Sequence, residues 1–320
     1  MKQDIIEKLV RPMIRKVTPY RSARDEFKDF DAQKIFLDAN ENPFNNSLNR
    51  YPDPLQRNLK RTLAKIKHVN EEQILLGNGS DEVLDLIIRT FCEPGEEEVL
   101  VLPPTYGMYA VLAKLNSVSV KEVPLNKNFE IDIDSVIEAV NPKTKIIFVC
   151  SPNNPSGNSI PFYQIKKLLK SFSGIIVIDE AYIDFSKEKS ALSILDQYPQ
   201  LLVCQTFSKA YGLAGIRLGM CFANPSVINY FNKIKPRNSM WKGDCFVFDN
   251  RVTIKKDTKP GAYGICNACR MPISNKEMKS TKYKIGLSCP KCYDNLTCLL
   301  YTSPSPRDEE ESRMPTSARK

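Results

Sequence analysis

Gly174-Ile-Ile-Val-Ile-Asp-Glu-Ala-Tyr182 is the stretch on which the fold turns. Its first five residues carry no polar side chain, and a run apolar on both alternating faces belongs to a strand covered on both sides. A carboxylate follows at once, at Asp179, where such a strand presents its carboxyl end. Runs of strand length alternate with helix-period segments from about Pro54 to Ala223. Strands are predicted at 98–102, 118–123, 145–150, 174–178, 201–205 and 218–223. Helices are predicted at 55–67, 82–92, 106–114, 134–140 and 163–171. The alternation predicts an α/β fold, a mostly parallel sheet with helices on both faces. In open sheets of this kind ligands bind at the carboxyl ends of the strands.

At 320 residues, 42% hydrophobic and 26% charged, the chain is read as globular and large enough for two domains. Met1 to Tyr20 mixes charged residues with apolar runs only a few residues long, so no secretory signal or membrane span is expected and the compartment predicted is the cytoplasm. The net charge of +9 is spread along the chain with acids between the bases, and residues 1–236 are not expected to bind nucleic acid. Of the ten cysteines, Cys92, Cys150, Cys204 and Cys221 stand singly in apolar stretches, as buried thiols do.

Lys209 lies in Thr206-Phe-Ser-Lys-Ala-Tyr-Gly-Leu-Ala-Gly-Ile-Arg217. A lysine that holds an aldehyde cofactor covalently needs a carboxylate to keep a pyridine nitrogen protonated, and donors for the ring oxygen. Asp179, Tyr182 and Asn154, the last in Ser151-Pro-Asn-Asn-Pro-Ser-Gly157, are of the right types. Each has a plainer reading: a helix cap, a packing aromatic, a turn. Their joint occurrence favours the chemical one. Gly77-Asn-Gly-Ser-Asp-Glu82 opens a helix, so backbone N–H groups of Ser80 and Asp81 can face a phosphate, although acids in a first turn are also ordinary caps. Thr206, Ser208 and Arg217 add hydroxyls and a guanidinium to that cup. Tyr106 is either a ring-stacking residue or a core aromatic.

On these runs, together with Leu37-Asp-Ala-Asn-Glu-Asn-Pro43, Arg50-Tyr-Pro-Asp53 and Pro104-Thr-Tyr-Gly-Met-Tyr109, residues 1–236 resemble the large domain of a fold-type-I pyridoxal-phosphate-dependent transferase, within the histidinol-phosphate aminotransferase family. The resemblance implies Lys209 as the cofactor lysine, Asp179 on the ring nitrogen, and Tyr182 and Asn154 on the ring oxygen. It further implies Tyr106 against the ring face, and Ser80, Asp81, Thr206, Ser208 and Arg217 around the phosphate. Asn42 would lie near the substrate, and Tyr51 would reach the partner subunit's site in a homodimer. The implied reaction passes an amino group between glutamate, as donor, and the keto acceptor imidazole-acetol phosphate. Family members continue into a small domain whose arginines hold the substrate, and no such segment is read after Pro236. Each lost charge-assisted bond is worth roughly 1.5–3 kcal/mol, so cofactor capture with impaired turnover is expected.

Beyond Pro236 the texture changes. Cys266-x2-Cys269 and Cys289-x2-Cys292, separated by nineteen residues, have the spacing of a tetrahedral four-cysteine zinc site, with unpaired thiols or a disulfide pair as the plainer readings. The region from Ser239 to Asp294 resembles the carboxyl-terminal part of the rhodanese-like tRNA uridine hydroxylases, which implies a zinc-ribbon-like segment over 239–297 without that family's reactive cysteine. An alternative for the whole chain follows: an RNA- or protein-interaction module fused to an inactive cofactor-binding fragment. Residues 298–320 are too polar to bury a core. Eleven of them, Cys298 to Asp308, resemble a translated sequencing-library adapter, and a disordered tail of artefactual origin joined to a chimera is expected.

Overall fold

The computed structural model describes residues 2–19, 39–42, 44 and 50–235, and the backbone of 263–265 and 272–274. The chain divides into two compact units, Met1–Asp249 and Asn250–Lys320. In the first, the helices are α1 (Lys2–Leu9), α2 (Pro12–Lys16), α3 (Arg57–Lys67), α4 (Ser80–Phe91), α5 (Met108–Leu115), α6 (Ile133–Ala139), α7 (Phe162–Ser171) and α8 (Pro225–Ile234). The strands are β1 (Ile74–Asn78), β2 (Glu98–Val101), β3 (Ser119–Glu122), β4 (Thr144–Cys150), β5 (Ile175–Asp179), β6 (Leu201–Thr206) and β7 (Leu218–Phe222). They form one sheet in the order β1-β7-β6-β5-β4-β2-β3. The pairs from β6 through β3 are parallel, while β7 runs antiparallel to both neighbours.

The continuous apolar runs do what their composition requires. On one face Leu75, Val99, Phe148, Val177, Leu202 and Cys221 pack under α1, α2, α4, α5 and α8. On the other, Leu76, Leu100, Ile147, Ile178, Val203 and Met220 pack under α3, α6 and α7. Because side chains alternate along a strand, Cys150, Asp179 and Thr206 share the parity of the first face. Glu180 and Gln205 take the second.

Several elements differ from the sequence reading. Strand β1 falls outside the predicted strands, since Ile74-Leu-Leu is followed by Gly77-Asn-Gly and the whole reads as a turn. Helix α8 has legible start signals, Pro225 at its first turn and Asn224 accepting the Ser226 N–H at 2.9 Å, which a reading by apolar runs passes over. Helices α1 and α2 and the link between them bury Ile6, Val10 and Ile14, a one-in-four spacing within a highly charged stretch. Helix α5 begins at Met108, so Tyr106 lies in the loop before it. Asp179 is the last residue of its strand, not the first after it. Among the described residues no helix is long and apolar enough to cross a membrane, and Cys92, Cys150, Cys204 and Cys221 are buried free thiols.

In the second unit, β8 (Tyr263–Ile265) pairs antiparallel with β9 (Pro272–Ser274). Cys266, Cys269, Cys289 and Cys292 lie outside the described residues, as does the tail 298–320.

Helix α4 is fixed against α8 by an edge-to-face contact of Phe91 and Phe231, ring centroids 6.1 Å apart and both rings fully buried. Phe231→Ala should cost about 3–5 kcal/mol. Urea unfolding of the full chain checks this, with the midpoint lowered and the slope retained.

Candidate active site

A cavity of about 270 Å³ opens at the carboxyl edge of the sheet, lined by residues from five strand ends and the loops after them. Ser80 and Asp81 come from the start of α4, Tyr106 from the loop after β2, and Cys150 and Asn154 from the end of β4 and its loop. Asp179 ends β5 and Ala181 and Tyr182 follow it, Thr206 ends β6 and Ser208 and Lys209 follow it, and Arg217 precedes β7. The reversal of β7 matters here. An antiparallel strand starts at the edge where its parallel neighbours end, so the residue before it joins the residues after them.

Asp179 is the buried carboxylate of the cavity, only 3% exposed. Its Oδ2 accepts the Tyr109 hydroxyl at 2.7 Å and its Oδ1 accepts the Ala181 N–H at 3.1 Å. Burial pushes its proton affinity up, and these two donors, with the more distant Lys209 ammonium, oppose the rise. Glu180 points into the opposite face, where Ser190 Oγ, the Ala191 N–H and Gln205 Nε2 donate to it at 2.6, 2.7 and 2.8 Å. The adjacent acids thus serve two faces: Asp179 borders the cavity and Glu180 anchors the loop at 190–191.

The Lys209 ammonium sits over the Tyr182 ring, 5.4 Å from its centroid. Tyr106 donates its hydroxyl to Asp81 Oδ1 at 3.1 Å, and burial, then the Asp81 charge, push its phenol up to about 12. It therefore stays a neutral donor. Cys150 is also held as a neutral thiol, raised to about 12 by burial and by the Asp179 charge. Asn153, beside Asn154, ties loops together: it accepts from Thr105 Oγ1 at 2.9 Å and donates to the Pro104 carbonyl at 2.9 Å.

The anion-facing side is built on close backbone approach. Gly79 has φ 80°, a region that favours glycine, and its N–H donates to the Arg217 carbonyl at 2.8 Å. A Cβ on Gly79 would lie 2.5 Å from Arg217 Nη2. Arg217 itself holds φ 54°, uncommon outside glycine. The first N–H groups of α4 have no partner within the helix and carry the positive end of its dipole. The Ser208 N–H donates to Thr206 Oγ1 at 3.1 Å, drawing both hydroxyls to the same rim.

Of the residues singled out from sequence, Ser80, Asp81, Tyr106, Asn154, Asp179, Tyr182, Thr206, Ser208, Lys209 and Arg217 line this one cavity. Asn42 and Tyr51 do not: Asn42 Oδ1 accepts the Phe44 N–H at 2.9 Å, and Tyr51 is 51% exposed. Sequence reasoning missed Cys150 and Tyr109, which read as core residues of a strand and a helix. The available signal for Tyr109 was its place in the same run as Tyr106, Pro104-Thr-Tyr-Gly-Met-Tyr109.

The donor set fits pyridoxal phosphate: a buried carboxylate for a protonated ring nitrogen, an amine for the aldehyde, neutral donors between, and a guanidinium beside a helix start for the phosphate. A family model described as aminotransferase class I and II matches residues 24–241. The histidinol-phosphate aminotransferase of Flavobacterium johnsoniae is 57% identical over 232 residues, covering 72% of this chain and 66% of that protein. The chain thus spans about two thirds of the length of the curated relatives it matches. Among solved structures, the histidinol-phosphate aminotransferase of Clostridium acetobutylicum superposes with a TM-score of 0.57 at 26% identity, over 62% of this chain and 60% of that one. That of Sinorhizobium meliloti, in complex with pyridoxal-5'-phosphate, gives 0.57 at 25% identity, over 61% and 54%.

A Cβ at Gly219 would meet the Gly79 carbonyl carbon at 2.2 Å and the Ser80 nitrogen at 2.3 Å, both rigid backbone. Gly219→Ala should therefore destabilise the chain by about 1–3 kcal/mol and weaken pyridoxal phosphate binding. Gly107→Ala, whose Cβ meets nothing within 4 Å, should stay within roughly 0.5 kcal/mol of the parent. Urea unfolding and equilibrium dialysis of the two variants side by side check this.

Proposed function

The chain belongs to the class I and II aminotransferases, and on that premise we propose that it transfers an amino group between glutamate and imidazole-acetol phosphate, the reaction of a histidinol-phosphate aminotransferase. The observation that carries this reading is the single cavity in which Lys209, the buried Asp179 and the Arg217 rim face one another. Pyridoxal phosphate is the cofactor of this family; when bound it supplies an electron sink for the substrate's α-carbon.

Each role belongs to a residue of this chain. Asp179, in a site of low dielectric, would keep a proton on the ring nitrogen, an interaction stronger there than in water. Tyr182 and Asn154 would donate to the ring oxygen, and Tyr106 would cover the ring face. The N–H groups of Ser80 and Asp81, the hydroxyls of Thr206 and Ser208, and the Arg217 guanidinium would hold the phosphate. Lys209 Nζ is the group that would hold the cofactor's aldehyde carbon and, once displaced by the substrate's amine, would carry a proton between the substrate's α-carbon and that cofactor carbon as general base and acid. Asn42 would lie near the substrate. Tyr51, outside its own chain's cavity, would reach the partner subunit's site in a cytoplasmic homodimer.

Residues 1–236 form the cofactor-binding large domain in this reading, and 239–297 form a zinc-ribbon-like segment that takes one zinc ion on Cys266, Cys269, Cys289 and Cys292. Residues 298–320 are an adapter-like tail appended to this chimera. No observation on the described residues favours the alternative of an interaction module.

With pyridoxal phosphate, glutamate and imidazole-acetol phosphate, the full chain should release oxoglutarate, and Lys209→Ala should lower that rate by at least about 10²-fold, the size of a general acid–base contribution. Oxoglutarate release that Lys209→Ala leaves unchanged would refute the assignment. Arg217→Ala should weaken pyridoxal phosphate binding by roughly 10- to 100-fold, the loss of one charge-assisted contact. Metal analysis of the full chain should find one zinc, lost when Cys289→Ser and Cys292→Ser are combined.

A further inference from the structure

Tyr109 is wholly buried on the first turn of α5, a place where a phenylalanine would fill the same volume. Its ring stacks on Phe148 at 4.8 Å with planes 4° apart, and the Tyr106 ring meets it edge-on at 5.6 Å. A hydroxyl taken into such a core costs free energy unless it is hydrogen-bonded. Tyr109 donates its one proton to Asp179 Oδ2 at 2.7 Å. It does so without itself lining the cavity.

We propose that Tyr109 is a positioning residue: its hydroxyl holds the Asp179 carboxylate ionised and turned toward the cavity, and so sets how firmly that carboxylate can keep a proton on a heteroaromatic nitrogen. The inference rests on the cofactor reading given above and adds a group that touches neither cofactor nor substrate. The other donor to Asp179, the Ala181 N–H, is backbone and fixed by the chain path. The phenol is the donor whose strength a side chain can alter. Burial keeps the phenol far above its ordinary range, so it remains a donor throughout the working pH range. The remaining groups facing Asp179 are Asp81 from α4, Lys209 after β6, Tyr106, and the thiols of Cys150 and Cys204 on the flanking strands. Among these, Lys209 is the cation.

The test follows the Asp179 carboxyl carbon by NMR in full chain labelled with carboxyl-¹³C aspartate and free of pyridoxal phosphate, with Asp179→Asn giving the assignment. Tyr109→Phe keeps the ring contacts and should raise the Asp179 midpoint by about one pH unit or more, a tenfold gain in proton affinity. Chain made with 3-fluorotyrosine, whose phenol is the stronger donor, should lower that midpoint, and the shift should vanish on the Tyr109→Phe background. With ¹⁵N-labelled pyridoxal phosphate bound, the ring ¹⁵N shift at fixed pH should move toward that of an unprotonated nitrogen in Tyr109→Phe, because the more basic carboxylate draws the shared proton toward its oxygen. An unchanged Asp179 midpoint in both the phenylalanine and the fluorotyrosine chains would overturn the proposal. If the phenylalanine variant does not fold, the fluorotyrosine chain alone decides, and no movement there overturns it. Because the carboxyl titration needs no cofactor, failure to take up pyridoxal phosphate would count against the function and leave the Tyr109 result standing.

Discussion

A carboxylate shut away from water keeps its charge only where donors and a counter-charge make up for lost hydration. The Tyr109 hydroxyl, the Ala181 N–H and the neighbourhood of Lys209 supply these to Asp179 and oppose, without cancelling, the rise in proton affinity that burial causes. Each of these depends on the sheet. Parallel pairing of β4, β5 and β6 brings Cys150, Asp179 and Cys204 side by side in register, and strand alternation sends Asp179 to the face that α5 covers. One residue of slippage would exchange Asp179 with Glu180. Glu180 is committed to Ser190, Ala191 and Gln205 on the opposite face, which fixes the register from the other side.

The second constraint is the direction of β7. A fully parallel sheet would carry the residue before each strand to the edge away from the site. Reversal of β7 brings Arg217 to the end of β6, and the β1–β7 pairing seats Gly77 opposite Gly219 so that the start of α4 can lie against it. A side chain at Gly219 would separate these backbones, and one at Gly79 would run into the Arg217 guanidinium. The anion-facing rim is thus a property of strand order and two missing Cβ atoms as much as of the arginine.

Much of this was legible in the sequence because the sheet is buried on both faces. Continuous apolar runs mark β2 and β4 through β7, and the polar residues that interrupt them fall at strand ends. Periodicity carries no direction, however, so the reversal of β7 was not readable from 218–223. Strand β1 is too short to stand out before Gly77-Asn-Gly79, and the helices at the amino terminus hide three apolar residues among charges. Tyr109 was obscured for a different reason: an aromatic on the inner face of a helix looks like core, and it is core, with its function resting on one hydroxyl. The cysteine spacing after Pro236 remains a reading of sequence, on residues outside those described.

The claim on which the account depends is that the cavity binds pyridoxal phosphate through Lys209. Borohydride reduction of the full chain after incubation with pyridoxal phosphate, followed by peptide mapping, measures this directly. One phosphopyridoxyl group per chain is expected, on Lys209, and lost in Asp179→Ala at limiting cofactor. Label scattered over surface lysines with none on Lys209 would contradict it.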